Sequence, residues 1–283
     1  MNTSAIPFIL FTALFRYPLY VLILLLFVRN TRALFELLLY KKVIRELEFR
    51  FGLGRHNLNL DEMLIFAGLI LNRIYCYKIN GKLVAYFKDG LILLPDIRYV
   101  SALTEPFEKM YKVFNFTGRV LDVGGSLGET AFLFRKWGAV EVVVYEPDHV
   151  LAQFARKNLL LNSVKGVVHE AFVNNSCSDK NISWAEVLQE KFDVAKVDCE
   201  GCENSLLNQP EDLIKKVPKW VIECHSSHTL RQLGDKFLAA GFIVTFKPYL
   251  GKHGYAIFGR QRIFHPQMKI PEGSTFIMIA RIR

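Results

Sequence analysis

The chain has 283 residues, 51% of them hydrophobic and 13% aromatic, which excludes general disorder and allows one large domain with an appendage. A formal charge of +9 calls for an anionic neighbour, either a membrane surface or a nucleic acid. Five cysteines (Cys76, Cys177, Cys199, Cys202, Cys224) are odd in number and too sparse for a disulfide scaffold, so reduced thiols are expected.

Residues 6–28 are the most apolar stretch, interrupted by Arg16 and Pro18. The Leu, Ile, Val and Phe side chains favour insertion by roughly 7 kcal/mol, against about 3 kcal/mol for Arg16. No basic residue precedes the run, and Phe27-Val-Arg-Asn30 is a poor cleavage site, which argues against a secretory signal. Residues 29–55 then carry seven Lys or Arg against three Glu. These features predict a single retained membrane anchor with the rest of the chain in the cytoplasm. Interfacial or buried helices broken at Arg16-Tyr17-Pro18 are the alternative.

Leu34, Leu37, Leu38, Val43, Ile44 and Leu47 recur at helical spacing, predicting a basic amphipathic helix over 31–50 and closing a first region at 1–50. Residues 51–116 read as a helix over 61–72 followed by β-hairpins, with turns at Asn80-Gly81 and Asp89-Gly90. From 117 to 283 strands and helices alternate. Strands are expected near 119–123, 141–145, 166–171, 192–198, 219–224 and 242–247, with two more in 254–283. Helices are expected over 128–137, 149–161, 183–190, 203–216 and 229–240. This is an α/β pattern with a mostly parallel sheet, and a short last connection implies an antiparallel edge strand. Ligands in such sheets sit outside the carboxyl ends of the strands.

Three motifs fall at those ends. The first is Asp122-Val-Gly124-Gly125-Ser126-Leu-Gly128, between a strand and a helix. Tyr145-Glu146-Pro147 ends the next strand, where a carboxylate suits a ribose diol. The glycine spacing misses the dinucleotide fingerprint, and Asp122 would repel a pyrophosphate. The same acid suits the cationic amino-acid end of S-adenosylmethionine. A dehydrogenase and a glycine turn without ligand are the competing readings. The second motif, Lys196-Val-Asp198-Cys-Glu200-Gly-Cys-Glu203, ends the fourth strand and opens a helix. The third, Ile222-Glu223-Cys-His225, ends the fifth, with Glu223 and His225 on one side of the tip.

Together these motifs resemble the FkbM-type S-adenosylmethionine-dependent methyltransferases, over about residues 117–250. The resemblance implies a Rossmann-like class I methyltransferase sheet and O-methylation of sugar or polyketide-like hydroxyls. It places Asp122, Gly124, Gly128 and Glu146 around the cofactor, to which the residue reading adds Ser126, Pro147 and Asp198. Asp198, Glu200, Glu203, Glu223 and His225 would line the reaction side. Asp198 or His225 is the expected base, with Glu200 and Glu223 orienting acceptor hydroxyls. Gly125 stands where many relatives carry Ala. The acceptor expected is a small molecule, glycan or lipid-linked sugar. Acids at the reaction end disfavour a nucleic acid. No metal is expected at Cys199-x-x-Cys202 and His225-x-x-His228, because the histidine spacing is one residue short of the usual zinc pattern and Gly201 with its flanking acids has another explanation. A membrane-tethered binding protein without activity is the remaining rival.

Overall fold

A computed structural model describes residues 74–79, 82–176, 178, 180–252, 255–258, 260–270 and 275–282. The expected anchor at 6–28, the helices over 31–50 and 61–72, the Asn80-Gly81 turn and Cys177 lie outside them.

Three strands, β1 (Tyr75–Ile79), β2 (Lys82–Phe87) and β3 (Gly90–Leu94), form an antiparallel meander. The β2–β3 turn is one residue earlier than its sequence suggests. Phe87 pairs with Gly90, so Lys88 and Asp89 are the two turn residues, at φ 48° and 65°. That double left-handed conformation is what the right-handed strand twist demands. A 3-10 helix over Ile97–Thr104 and a short helix α1 (Phe107–Met110) lead into the main sheet.

The main sheet begins with β4 (Gly118–Val123), α2 (Glu129–Lys136), β5 (Ala139–Tyr145), α3 (His149–Leu161) and β6 (Gly166–His169). After a small detour through β7 (Phe172–Asn174), β8 (Asn181–Ser183) and α4 (Trp184–Val187) come β9 (Val194–Val197), a 3-10 helix (Cys202–Asn208) and α5 (Glu211–Lys215). The chain closes with β10 (Lys219–Cys224), α6 (Ser227–Ala239), β11 (Phe242–Lys252), β12 (Tyr255–Phe258), β13 (Arg262–Ile263) and β14 (Thr275–Ile282).

The strand order is β12-β11-β14-β10-β9-β4-β5-β6, with β13 on β11. Strands β6, β5, β4, β9 and β10 run parallel. This is a mostly parallel, Rossmann-like sheet. The antiparallel edge strand is present as β12, but β14 is also antiparallel and lies inside the sheet, between β10 and β11. Alternate side chains feed two cores. Val120, Val142 and Val194 face α2, α3 and the meander, whereas Leu121, Val143 and Ala195 face α4, α5 and α6.

Other departures have local causes. The helix expected over 203–216 is split, because Pro210 cannot continue the preceding turn and stands as the N-cap of α5. The strand expected over 166–171 stops at His169, and the chain then makes β7, which pairs with β8 in a separate parallel ribbon. Cys199 and Cys202 are joined in a disulfide, which corrects the expectation of reduced thiols there. Cys224 is a buried free thiol.

The meander is locked to the sheet by two asparagines one turn apart on α3. Asn158 accepts from Leu93 N–H at 2.7 Å and donates to Leu93 O at 3.0 Å and Leu127 O at 2.9 Å. Asn162 repeats the pattern with the Leu91 N–H (3.0 Å) and carbonyl (2.7 Å). The (i, i+4) helix spacing thus meets the (i, i+2) strand spacing, and the side-chain amides pair the outer edge of β3 as a strand would. Asn158→Ala leaves buried backbone groups unpaired and is expected to destabilise by about 3 kcal/mol. Thermal unfolding should then show a melting temperature lower by roughly 6–12 °C.

A candidate cofactor and acceptor site at the strand tips

The site gathers around a buried lysine. Lys196, in the middle of β9, is 1% exposed, and its Nζ donates to the Gly124 carbonyl at 2.6 Å. It lies 3.2 Å from Asp122 Oδ1 and 3.8 Å from Asp198 Oδ2, and 5.5 Å from the centre of the Tyr111 ring. Burial works against its charge, but Asp122 and Asp198 outweigh that and hold it firmly protonated. Asp122, fully buried on β4, is raised by burial and restrained by Lys196 and by Thr130, whose Oγ1 donates to Oδ2 at 2.5 Å. The sequence displayed Lys196 within the second motif, but nothing in its spacing shows that it points at the glycine turn.

That turn is shaped for close approach. Gly124 has φ 76°, and a Cβ there would stand 1.7 Å from the Asp198 carbonyl oxygen, so the two strand tips touch through glycine. At Gly125 a Cβ would stand 2.1 Å from Val144 Cγ1, so this packing needs glycine there. Ser126, at φ 46°, donates its N–H to Glu146 Oε2 at 2.8 Å, while Asp148 N–H donates to Oε1 at 2.9 Å. Glu146 is thereby fixed at the end of β5, beside the turn. Gly128 caps α2 at φ 80°. Pro147 is exposed beyond Glu146.

On the reaction side, Asp198 and Glu223 stand at adjacent strand ends, one step beyond the Ile222–Val197 pairing of β10 and β9. Tyr111 bridges them, with its hydroxyl 2.6 Å from Asp198 Oδ2 and 3.2 Å from Glu223 Oε2. A phenol has one proton, which goes to Asp198. Glu223 is pushed up to about 8, chiefly by burial and then by Asp198, and its retained proton completes the second bond. His225 Nδ1 lies 3.1 Å from Glu203 Oε1, a carboxylate 1% exposed. That hydrogen bond is the leading cause of its rise to about 9. Glu203 also accepts from Gly201 N–H at 2.8 Å, so it holds the histidine and the loop together. Glu200, 88% exposed and 3.5 Å from His225 Nε2, stands at the rim rather than among the buried acids. His228 is exposed on α6.

Three residues were missed by the sequence. Tyr111 and Glu105 come from the segment before β4, where neither carries a motif. Glu129, in the first turn of α2, reads as an ordinary helix-start acid. It is 4% exposed, and its Oε2 has no hydrogen-bond partner among the described residues. Asp122 Oδ1 is likewise without a hydrogen bond, although Lys196 is close. An orphaned Glu129 oxygen beside a glycine turn, with the Asp122 carboxylate close by, suits a ligand with positive charge. The cofactor these residues fit is S-adenosylmethionine, with its ammonium and sulfonium groups. Glu129 and Asp122 would hold the charged end, and Glu146 the ribose.

The chain is similar in structure to the ribosomal protein L11 methylase of Lactobacillus delbrueckii subsp. bulgaricus, at 14% identity and a TM-score of 0.39, covering 65% of this chain and 77% of that one. It is also similar to the precorrin-6y C5,15-methyltransferase of Geobacter metallireducens GS-15 (15%, TM-score 0.40, 65% and 88%). A third is M. capricolum TrmK in complex with S-adenosyl-homocysteine (10%, TM-score 0.41, 62% and 67%). Likeness at this level concerns general architecture, so the chemistry has to come from this chain's own residues. No family model matches the chain, and no curated protein matches it.

Two predictions follow from the charges. Lys196→Met strands Asp122 in the interior and should destabilise by about 3–5 kcal/mol in chemical denaturation. Adding Asp122→Asn should recover most of that loss. Glu105, Glu129 and Glu223 are each pushed up to about 8 from 4.5, with burial the largest cause. The folded chain therefore holds protons that the unfolded chain has released. The stability they contribute is present below pH 4.5 and lost as pH rises towards 8, by up to about 1.4 kcal/mol per pH unit for each proton. His225, raised from 6.5 to about 9, adds a loss in the same direction over that higher window. Melting temperatures should fall from pH 5 to 9, and Glu105→Gln should flatten the slope.

Proposed function

We propose that the protein is an S-adenosylmethionine-dependent methyltransferase of the FkbM type, acting on a hydroxyl of a sugar, glycan or lipid-linked saccharide. The observation that carries the reading is the junction of two sites at one pair of strand tips. The cofactor-side acids Asp122, Glu129 and Glu146 and the reaction-side group Asp198, Tyr111 and Glu223 meet across Lys196 and Gly124. The motif resemblance over 117–250 supports the same assignment.

S-adenosylmethionine, when bound, supplies a methyl group on a cationic sulfur. The protein's task is to align an acceptor oxygen and remove its proton. Asp198 is the base in this reading. Its bonds to Tyr111 and Lys196 both go to Oδ2, which leaves Oδ1 to take the proton. Its backbone N–H donates to the Val123 carbonyl at 3.0 Å, so the carboxylate is fixed relative to the glycine turn. His225, held by Glu203, faces the same group. Because it is held protonated near neutrality, it serves better as a donor to the acceptor than as the base. Alignment alone supplies several orders of magnitude in such a transfer.

The acidic lining disfavours a polyanionic acceptor, in spite of the net charge of +9. Residues 6–28, read as a membrane anchor, favour an acceptor at the membrane surface, with the domain in the cytoplasm. Among the described residues no helix is long and apolar enough to cross a membrane.

Calorimetry with S-adenosylmethionine tests the proposal directly. Saturable binding is expected, weakened about 10- to 100-fold in Glu129→Gln, because a carboxyl that can ionise against the ligand's positive charge is removed. Asp198→Asn should lower turnover by about 10²–10⁴-fold on a glycan acceptor. No affinity of the wild-type protein for the cofactor would refute the reading.

A further inference from the structure

We propose that Asp198, Glu223 and His225 form a binding site for a hard divalent cation of the Mg²⁺ or Mn²⁺ kind at the reaction end of the strands. Its role rests on the methyltransferase reading above, but its existence does not.

Geometry supplies the first argument. One ligand atom from each of the three residues lies within 4.8 Å of the others, close enough to share an ion. Asp198 and Glu223 are carried by neighbouring strands of a parallel sheet, and His225 follows two residues on from Glu223. The site is thus built largely on rigid elements. Carboxylate oxygens predominate, which suits a hard cation better than a thiophilic one.

The second argument is the support behind the histidine. A metal-binding histidine typically donates its other ring N–H to a carboxylate, which fixes the tautomer and turns the free nitrogen to the ion. Here the buried Glu203 lies 3.1 Å from Nδ1, leaving Nε2 on the other side, where an ion would take the place of the proton that His225 holds in its absence. The contact competing for Nε2 is the exposed Glu200, at 3.5 Å. Tyr111 gives the two carboxylates comparable support.

Glu105 adds negative charge beside this cluster. Its side chain is half-buried, and burial is the largest cause of its rise to about 8. The charge that acts on it most strongly is Asp198, followed by Glu129 and Lys196. Asp198, Glu223 and Glu105 therefore converge with one lysine between them, and that lysine already serves Asp122 and the Gly124 carbonyl. Two carboxylates and a histidine within 4.8 Å of one another, with Lys196 already engaged elsewhere, leave room for positive charge. A bound cation would supply it and take the acceptor hydroxyl as a further ligand, lowering the hydroxyl's hold on its proton. That proton passes to a carboxylate oxygen of the cluster.

The test uses the full chain in detergent, stripped with chelator and titrated with Mn²⁺ while free Mn²⁺ is followed by electron paramagnetic resonance. One saturable Mn²⁺ per chain, displaced by Mg²⁺, is expected. Glu223→Gln should weaken binding at least tenfold. Glu203→Gln, which does not touch the ion, should weaken it about 10- to 100-fold. Bound Mn²⁺ should also show a nitrogen coupling in spin-echo spectra that disappears in His225→Asn. Glu141→Gln, paired with Arg119 and Lys165 at the start of β5, controls for diffuse loss of negative charge. Absence of saturable binding, absence of nitrogen coupling, or equal weakening by Glu141→Gln would each overturn the proposal. These readings on the wild-type chain stand even if a variant fails to fold. Titration with S-adenosylmethionine separates the two ideas: cofactor binding without Mn²⁺ binding sinks the cation alone.

Discussion

A lysine ammonium sealed among β-strands cannot remain without compensation, and the way this chain compensates Lys196 organises the rest of the site. Asp122 from β4 neutralises it, the Gly124 carbonyl takes its shortest hydrogen bond, and Asp198 sits one residue-pair further along its own strand. These contacts bind β4 to β9 at the point where the strand order turns back, which is also where ligands of such sheets lie. A glycine turn free to move would make a poor cradle. Tied to Lys196, it is held against the fourth parallel strand, and a side chain at Gly124 would collide with that strand's end. A buried pair of this kind contributes little net stability, since desolvation offsets most of the attraction. Its contribution here is to geometry.

The two ends of the site differ in electrostatic character for the same reason. Burial first, and then the neighbouring acids, hold several carboxyl groups protonated to neutral pH or above. Such a region selects ligands that bring positive charge or can share protons. S-adenosylmethionine does the first, and a neutral hydroxyl does the second. The basic surplus of the chain lies elsewhere, notably in residues 29–55. Net charge and site charge thus lie in different parts of the chain, and the proposed function assigns them to a membrane and an uncharged acceptor.

The segment before the main sheet is more than a covering. The Asn158 and Asn162 amides dock β3, and the chain running on from it delivers Glu105 and Tyr111 to the strand tips. Both residues act on Asp198, one by charge and one by hydrogen bond. An alternation of strands and helices gives no hint of this. Glu105 lies in an irregular stretch with no periodicity to read, and Tyr111 follows a four-residue helix too short to show a face. Glu129 was hidden differently. An acid in the first turn of a helix has an ordinary electrostatic explanation, and only its burial and its orphaned oxygen separate it from one.

Local chemistry determined much of this protein in advance. Period-two and helical patterns set the parallel strands and their helices, and glycines between an acid-bearing strand and a helix marked the cofactor end. Asp122, Glu146, Asp198, Glu223 and His225 were legible because strand ends in α/β sheets are where polar residues have no structural reason to be. Tertiary structure decided what sequence distance conceals. It placed β14 inside the sheet, joined Cys199 to Cys202, moved Glu200 to the rim and turned Lys196 inward. These outcomes depend on which groups meet across many residues and on how completely water is excluded where they meet. Neither is encoded in the spacing of neighbours along the chain.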